Sequence, residues 1–188
     1  GRYNTFIGST AGDAITDGEQ NVFIGDDAGS VTTSVTKAVI IGQSAGADGN
    51  ITNAAIGSVL IGQAAGAALT TGAGNLAVGY QALTTNIDGD NNTAVGYQAL
   101  KTFEAASDGN GENVAVGYAS GDAITNGQQN TIVGSQAGTN DVNLTTGDQN
   151  VIIGAAADIS TADAQNQIVI GWDALGHGDN IAVIGNTS

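Results

Sequence analysis

Along this chain a β-branched residue followed by glycine returns on a near-constant beat. The anchoring glycines are Gly8, Gly25, Gly42, Gly62, Gly79, Gly96, Gly117, Gly134, Gly154, Gly171 and Gly185, spaced 17, 17, 20, 17, 17, 21, 17, 20, 17 and 14 residues apart. The residue before each is Ile7, Ile24, Ile41, Ile61, Val78, Val95, Val116, Val133, Ile153, Ile170 or Ile184. Three residues after each comes Ala or Ser, from Ala11 through Ser120 to Ser188. Four before it, Asn recurs as Asn4, Asn21, Asn75, Asn92, Asn113, Asn130 and Asn150, with Ala38, Ser58, Gln167 and Ile181 elsewhere. A fuller unit begins ten residues before the glycine with Ile15-Thr16, Leu69-Thr70, Ile124-Thr125 or Leu144-Thr145.

A beat this short, broken by Gly and Asx clusters, leaves no room for helices with connections, and each interior glycine would cost a helix about 1 kcal/mol relative to Ala. Separate hairpins would alternate in direction, whereas every unit here repeats the same polarity. The pattern therefore predicts an all-β parallel solenoid of about eleven coils forming one repeat domain over residues 1–188. Each coil is expected to carry two short strands, at the Ile/Leu-Thr pair and before the anchoring glycine. Additions around Asp48 to Ala54 and Ser107 to Glu112 should bulge outward. At the usual strand spacing, eleven coils make a rod of about 50 Å.

Successive residues of a strand point to opposite faces. The columns three and one before the glycine, as in Val22 and Ile24 or Val151 and Ile153, are expected to line the dry interior. That makes Ile7, Ile24, Ile41, Ile61, Val78, Val95, Val116, Val133, Ile153, Ile170 and Ile184 the interior stack. The residue between them is Phe6, Phe23, Ile40, Leu60, Ala77, Ala94, Ala115, Ile132, Ile152, Val169 or Val183. A face open to water should be polar, so this second apolar column is expected to be a subunit interface covered by another copy. The Asn column fits an inward ladder or turn amides bonded to their own backbone, and the turn reading is preferred. The anchoring glycine implies either close backbone approach or a positive φ.

Composition narrows the function. Thirty glycines and only 11% charged residues suit a thin core rather than an ordinary globular one. The formal charge of −15, with Arg2, Lys37 and Lys101 the sole basic side chains, argues against nucleic acid and anionic membranes as partners. No apolar run is long enough to span a bilayer, so membrane insertion is not expected. Cys is absent, which removes disulfide and thiolate chemistry. Met is absent too, so Gly1 is expected to follow a cut, and no signal peptide is visible there.

The segment Asn92-Thr93-Ala94-Val95-Gly96-Tyr97-Gln98-Ala99-Leu100 closely resembles the NTAVGYQAL repeats of phage tail-fibre-like proteins. The broader pattern, as in Asn21-Val22-Phe23-Ile24-Gly25, is similar to the head repeats of trimeric autotransporter adhesins. The resemblance covers essentially the whole chain. It implies a left-handed parallel β-roll with three chains side by side. It also implies a structural shaft or body segment of a viral tail fibre that positions a receptor-binding tip, or alternatively the head of a bacterial surface adhesin that binds host matrix or cells. Either places the chain on a virion or outside the cell, partnered by itself as a homotrimer and by a cell-surface glycan or protein receptor.

Two groups of side chains are candidates for chemistry. Tyr80, Tyr97, Tyr118 and Trp172 share the position after the glycine and suit either glycan binding or the rim of a subunit interface. Asp88, Asp90, Asp108 and Glu112 lie in acidic turns and offer at most a weak Ca²⁺ site, since no EF-hand or RTX-type spacing is present. No other metal or cofactor is expected. Catalysis has little support: His177 is the one histidine, set between Gly176 and Gly178, and the chain is not expected to be an enzyme. Ice binding would favour an unbroken Thr ladder, whereas Thr16, Thr70, Thr125 and Thr145 are separated by other coils.

Overall fold

The computed structural model describes residues 1–105 and 110–186. Eleven three-residue strands, β1 (Thr5–Ile7), β2 (Val22–Ile24), β3 (Val39–Ile41), β4 (Val59–Ile61), β5 (Leu76–Val78), β6 (Thr93–Val95), β7 (Val114–Val116), β8 (Thr131–Val133), β9 (Val151–Ile153), β10 (Ile168–Ile170) and β11 (Ala182–Ile184), form one parallel sheet in chain order. Register is constant: Phe6 pairs Phe23, Phe23 pairs Ile40, and the same alignment runs to Val169 and Val183. The chain is a β-solenoid of about ten turns.

The two faces of the strand are the reverse of the sequence expectation. The column expected at a subunit interface fills the chain's own interior: Phe23, Ile40, Leu60, Ala77, Ala94, Ala115, Ile132, Ile152 and Val169 are all fully buried. Phe6 belongs to the same column and is 38% exposed because only Phe23 stacks on it, in the first coil. The column expected inside faces outward. Ile24, Ile41, Ile61, Val78, Val95, Val116 and Ile170 are half-buried, and Ile7, Val133, Ile153 and Ile184 are exposed. The physical reason lies in the partner walls. Buried Ala28, Ala45, Ala65, Ala82, Ala99, Ala137, Ala157 and Ala174, three after the glycine, share one hydrophobic cluster with the middle strand residues, and together they fill the narrow lumen.

The Asn column obeys the same phase. Positions four and two before the glycine share a face, so the asparagines point inward with the middle residue. Asn92 N donates to Asn75 Oδ1 at 2.9 Å, Asn113 N to Asn92 Oδ1 at 3.1 Å and Asn130 N to Asn113 Oδ1 at 3.0 Å. Most Nδ2 groups donate to a carbonyl of the next coil, as in Asn75 to Gly89 O at 2.8 Å and Asn130 to Gly147 O at 2.8 Å, whereas Asn92 Nδ2 donates to Asp90 O of its own coil at 3.1 Å. The preferred turn reading is therefore replaced by an interior ladder. Such hydrogen-bonded amides cost little to bury and tie successive coils together.

Among the described residues only one strand per coil forms. At the Ile/Leu-Thr site the side chain is buried in Leu69, Ile124 and Leu144 and partly buried in Ile15. The backbone there makes isolated bonds between coils, such as Thr70 N to Ile87 O at 2.9 Å and Thr125 N to Thr145 O at 2.9 Å. Sharp corners on both sides leave too few extended residues for a ladder. Those corners are left-handed: Gln81, Gln98 and Ala156 hold φ of 53°, 57° and 57°, and Gln129 and Gln149 hold 58° and 62°. The anchoring glycine needs both properties inferred for it. Gly42 has φ +133°, and a Cβ there would stand 2.5 Å from the Gly62 carbonyl oxygen.

The longer units swell as expected but not all at the expected place. Asp48 and Gly49 stay in the coil, both donating to Ala67 O at 2.9 Å. The excursion comes after them as a 3-10 turn at Asn53–Ala55, with Thr52 Oγ1 accepting from Ala54 N. Of the second expected bulge, residues 106–109 lie outside the described residues.

Candidate functional site: the outer sheet face and its tyrosine column

Because the outward strand positions are aliphatic in nearly every coil, the sheet's outer face is a continuous apolar strip. Val22 with Ile24, Val39 with Ile41, Val59 with Ile61, Leu76 with Val78 and Val151 with Ile153 make two parallel rows, interrupted by Thr93 and Thr131. Monomeric soluble proteins rarely expose large contiguous apolar patches without a partner for them.

The aromatic position borders this strip. Tyr80, Tyr97 and Tyr118 stand on three consecutive coils and stack, with ring centroids 5.0 and 5.4 Å apart and planes 16° and 15° from parallel. Beside them Gln98 Nε2 donates to Gln81 Oε1 at 2.8 Å. Stacking turns the ring faces toward each other along the column, so they are not offered outward as a sugar platform would require. Trp172 does not join them. Ser135 and Ala155 occupy the intervening coils, and the indole is 70% exposed.

The acidic candidates do not come together. Asp90 Oδ1 accepts from Ala73 N at 2.7 Å, and Glu112 Oε2 accepts from Gln129 Nε2 at 2.9 Å. Asp108 lies outside the described residues. Among the described residues Asp88 Oδ1 is buried without a hydrogen-bond partner, and Asp88 neighbours Glu104, whose Oε2 accepts from Ile87 N at 2.7 Å. Burial, more than the repulsion from Asp88, raises the Glu104 carboxyl above its usual value. Among the described residues no three His, Cys, Asp or Glu side chains are grouped to hold a metal ion. His177 is exposed.

Sequence reasoning missed Asp158. It occupies the fourth position after Gly154, where most coils carry Gly or Leu, and it is 2% exposed. Its Oδ2 accepts from Asp141 N and Val142 N, both at 2.7 Å, clamping the excursion of the preceding 20-residue unit. Desolvation raises its pKa despite these bonds. An acid in a Gly/Leu column was the visible signal. Its purpose depends on a loop one coil away.

No helix among the described residues is long and apolar enough to cross a membrane. No family model matches the chain, and no curated protein matches it either.

Proposed function

We propose that this chain is a rigid body segment of a trimeric, left-handed β-roll fibre, the shaft of a viral tail fibre that holds a receptor-binding tip away from the particle. The observation that carries this reading is the apolar outer strip running from Val22 and Ile24 to Ile168 and Ile170. The strip is periodic and self-similar, so its natural complement is the same strip of another copy. Closed homo-oligomers form through such repeated patches. Three chains packed strip-inward bury these rows around a common axis and leave the acidic turns in water. The outward strand positions, rather than the middle column, are the subunit contact in this arrangement. The repeats resembling those of tail-fibre-like proteins favour the fibre, and the similarity to adhesin heads keeps the bacterial surface adhesin as the second reading. Neither reading includes catalysis, nucleic acid or membrane insertion.

Multi-angle light scattering is expected to give three times the 18.4 kDa chain mass. Val78→Lys combined with Val116→Lys, which places charges in the strip, should give a monomer whose β circular dichroism is retained. A native chain that runs at the monomer mass sinks the proposal. Immobilised chain that retains host matrix proteins would select the adhesin reading over the shaft.

A further inference from the structure

With neither Cys nor Met, the chain lacks the sulfur side chains that ordinarily take up oxidants first. The most readily oxidised groups left are four tyrosines and one tryptophan. Three of the tyrosines stand in one exposed column, Tyr80 at 38%, Tyr97 at 44% and Tyr118 at 53%. Their hydroxyls make no hydrogen bond among the described residues. The backbone beneath holds them in file: Gln98 N donates to Tyr80 O and Ala119 N to Tyr97 O, each at 2.8 Å. Adjacent rings therefore cannot separate along the stack, while their exposed edges leave each free to tilt.

We propose that this column is an oxidative modification site, at which a one-electron oxidant of the peroxide or persulfate class couples Tyr97 to Tyr80 or to Tyr118 within the chain. Each of two tyrosines gives one electron to the oxidant and its phenolic proton to water. The two phenoxyl radicals pair in a new carbon–carbon bond between ring positions ortho to the oxygens. The hydrogens on those two carbons then move to the oxygens and restore both phenols. The net loss is two electrons and two protons, which convert one peroxide to two waters, or one persulfate to two sulfates with the protons left in solution. The product, a dityrosine, staples consecutive coils covalently. In a stack held by short strands and isolated backbone bonds, such a staple opposes unzipping where the coils meet. Tyr97 takes part in every intrachain bridge, because Tyr80 and Tyr118 are two coils apart, about 10 Å at the usual strand spacing.

The test is brief illumination of the native chain with tris(bipyridyl)ruthenium and persulfate, followed by trypsin. Cleavage after Lys37 and Lys101 puts Tyr80 and Tyr97 in peptide 38–101 and Tyr118 in peptide 102–188. Expected are peptide 38–101 lighter by two hydrogens, or the same peptide joined covalently to 102–188. The yield should not change on dilution and should fall sharply when the chain is first unfolded in urea. Tyr97→Phe, which keeps the ring in the stack, should remove both products at unchanged circular dichroism. Tyr3→Phe should leave them intact, since Tyr3 is 79% exposed and has no ring neighbour among the described residues. Absence of both products, bridges only between chains, persistence in Tyr97→Phe, or equal yield from the unfolded chain would each overturn the proposal.

Discussion

At the scale of single residues, the repeat is governed by backbone conformations that most side chains resist. The anchoring glycine is held by two constraints at once, a φ near +135° and the next coil's carbonyl against its α-carbon, as at Gly42. Gly42→Ala should destabilise the chain by about 2–4 kcal/mol, combining backbone strain with overpacking. The opposite change is expected at Ala156, which holds φ 57° on the outside of a corner. There Ala156→Gly should stabilise by about 0.5–1 kcal/mol, because the left-handed region costs an L-residue more than glycine loses in entropy. Urea unfolding of both variants against the parent measures the pair. Equal effects at the two sites would show that left-handed corners, and not coil contact, explain the glycine column. The recurrence of Gly was fully legible in the sequence. The left-handed corners at Gln, Ala and Asp were not, because nothing in those side chains announces a positive φ.

At the scale of the coil, volume is conserved across the lumen. In most coils with a large middle strand residue the fourth residue after the anchor is glycine, as in Phe23 with Gly29, Ile40 with Gly46 and Leu60 with Gly66, although Ile152 has Asp158 there and Val169 has Leu175. Where it shrinks to alanine, at Ala77 and Ala94, that fourth residue becomes Leu83 or Leu100, both buried and both at positive φ. A Cβ on Gly66 would stand 2.5 Å from Leu60 Cδ2, and one on Gly29 would stand 2.8 Å from Phe23 Cε2. Leu60→Ala should therefore cost about 2–5 kcal/mol as a cavity. Gly66→Leu alone should also destabilise, by overpacking. The two together should recover much of the loss, a favourable coupling of about 1–3 kcal/mol in a double-mutant cycle. Additive costs would refute the exchange. The swap can be read from the sequence once it is known which positions face inward. Gly121 departs from it, facing Ala115 in its own coil, because Ile132 Cδ1 of the next coil would lie 2.9 Å from a Cβ there.

At the scale of the molecule, charge and burial act together. Glu104, Asp122 and Asp158 all have carboxyl pKa values raised above the usual 4.5, 3.8 and 3.8, with desolvation the largest cause in each. An acid whose folded pKa is raised holds its proton more tightly in the fold than in the unfolded chain. Its contribution is therefore fully present below the unfolded pKa and lost as pH climbs through the folded one. Neutralising part of a net charge of −15 acts in the same direction by relieving self-repulsion. The thermal midpoint should accordingly rise as pH is lowered from neutrality toward the carboxylate range, and Asp158→Asn should flatten that slope. Scanning calorimetry across pH measures both, and a midpoint that falls steadily on acidification would contradict the assignment. The apolar strip belongs to this scale as well. Its two aliphatic rows were plain in the sequence, but their outward direction was not.

The sequence by itself determined the eleven strand positions before the anchoring glycines, their common polarity, the glycine and alanine columns, and a parallel all-β stack, because each depends on residues within one repeat. It did not determine the phase of the strand. Both alternating columns are apolar, and a period of two assigns them to opposite faces without saying which is inside. That one choice also decided the asparagines, which share the face of Phe23, Ile40 and Leu60. Their inward ladder and the outward strip of Ile24, Ile41 and Ile61 are a single consequence. Only tertiary structure could make the choice, because it is set by what stands across the lumen: small alanines and glycines that leave room for the middle strand side chain. The ring stack of Tyr80, Tyr97 and Tyr118 and the clamp of Asp158 are likewise products of stacking, created when residues from successive coils are brought side by side.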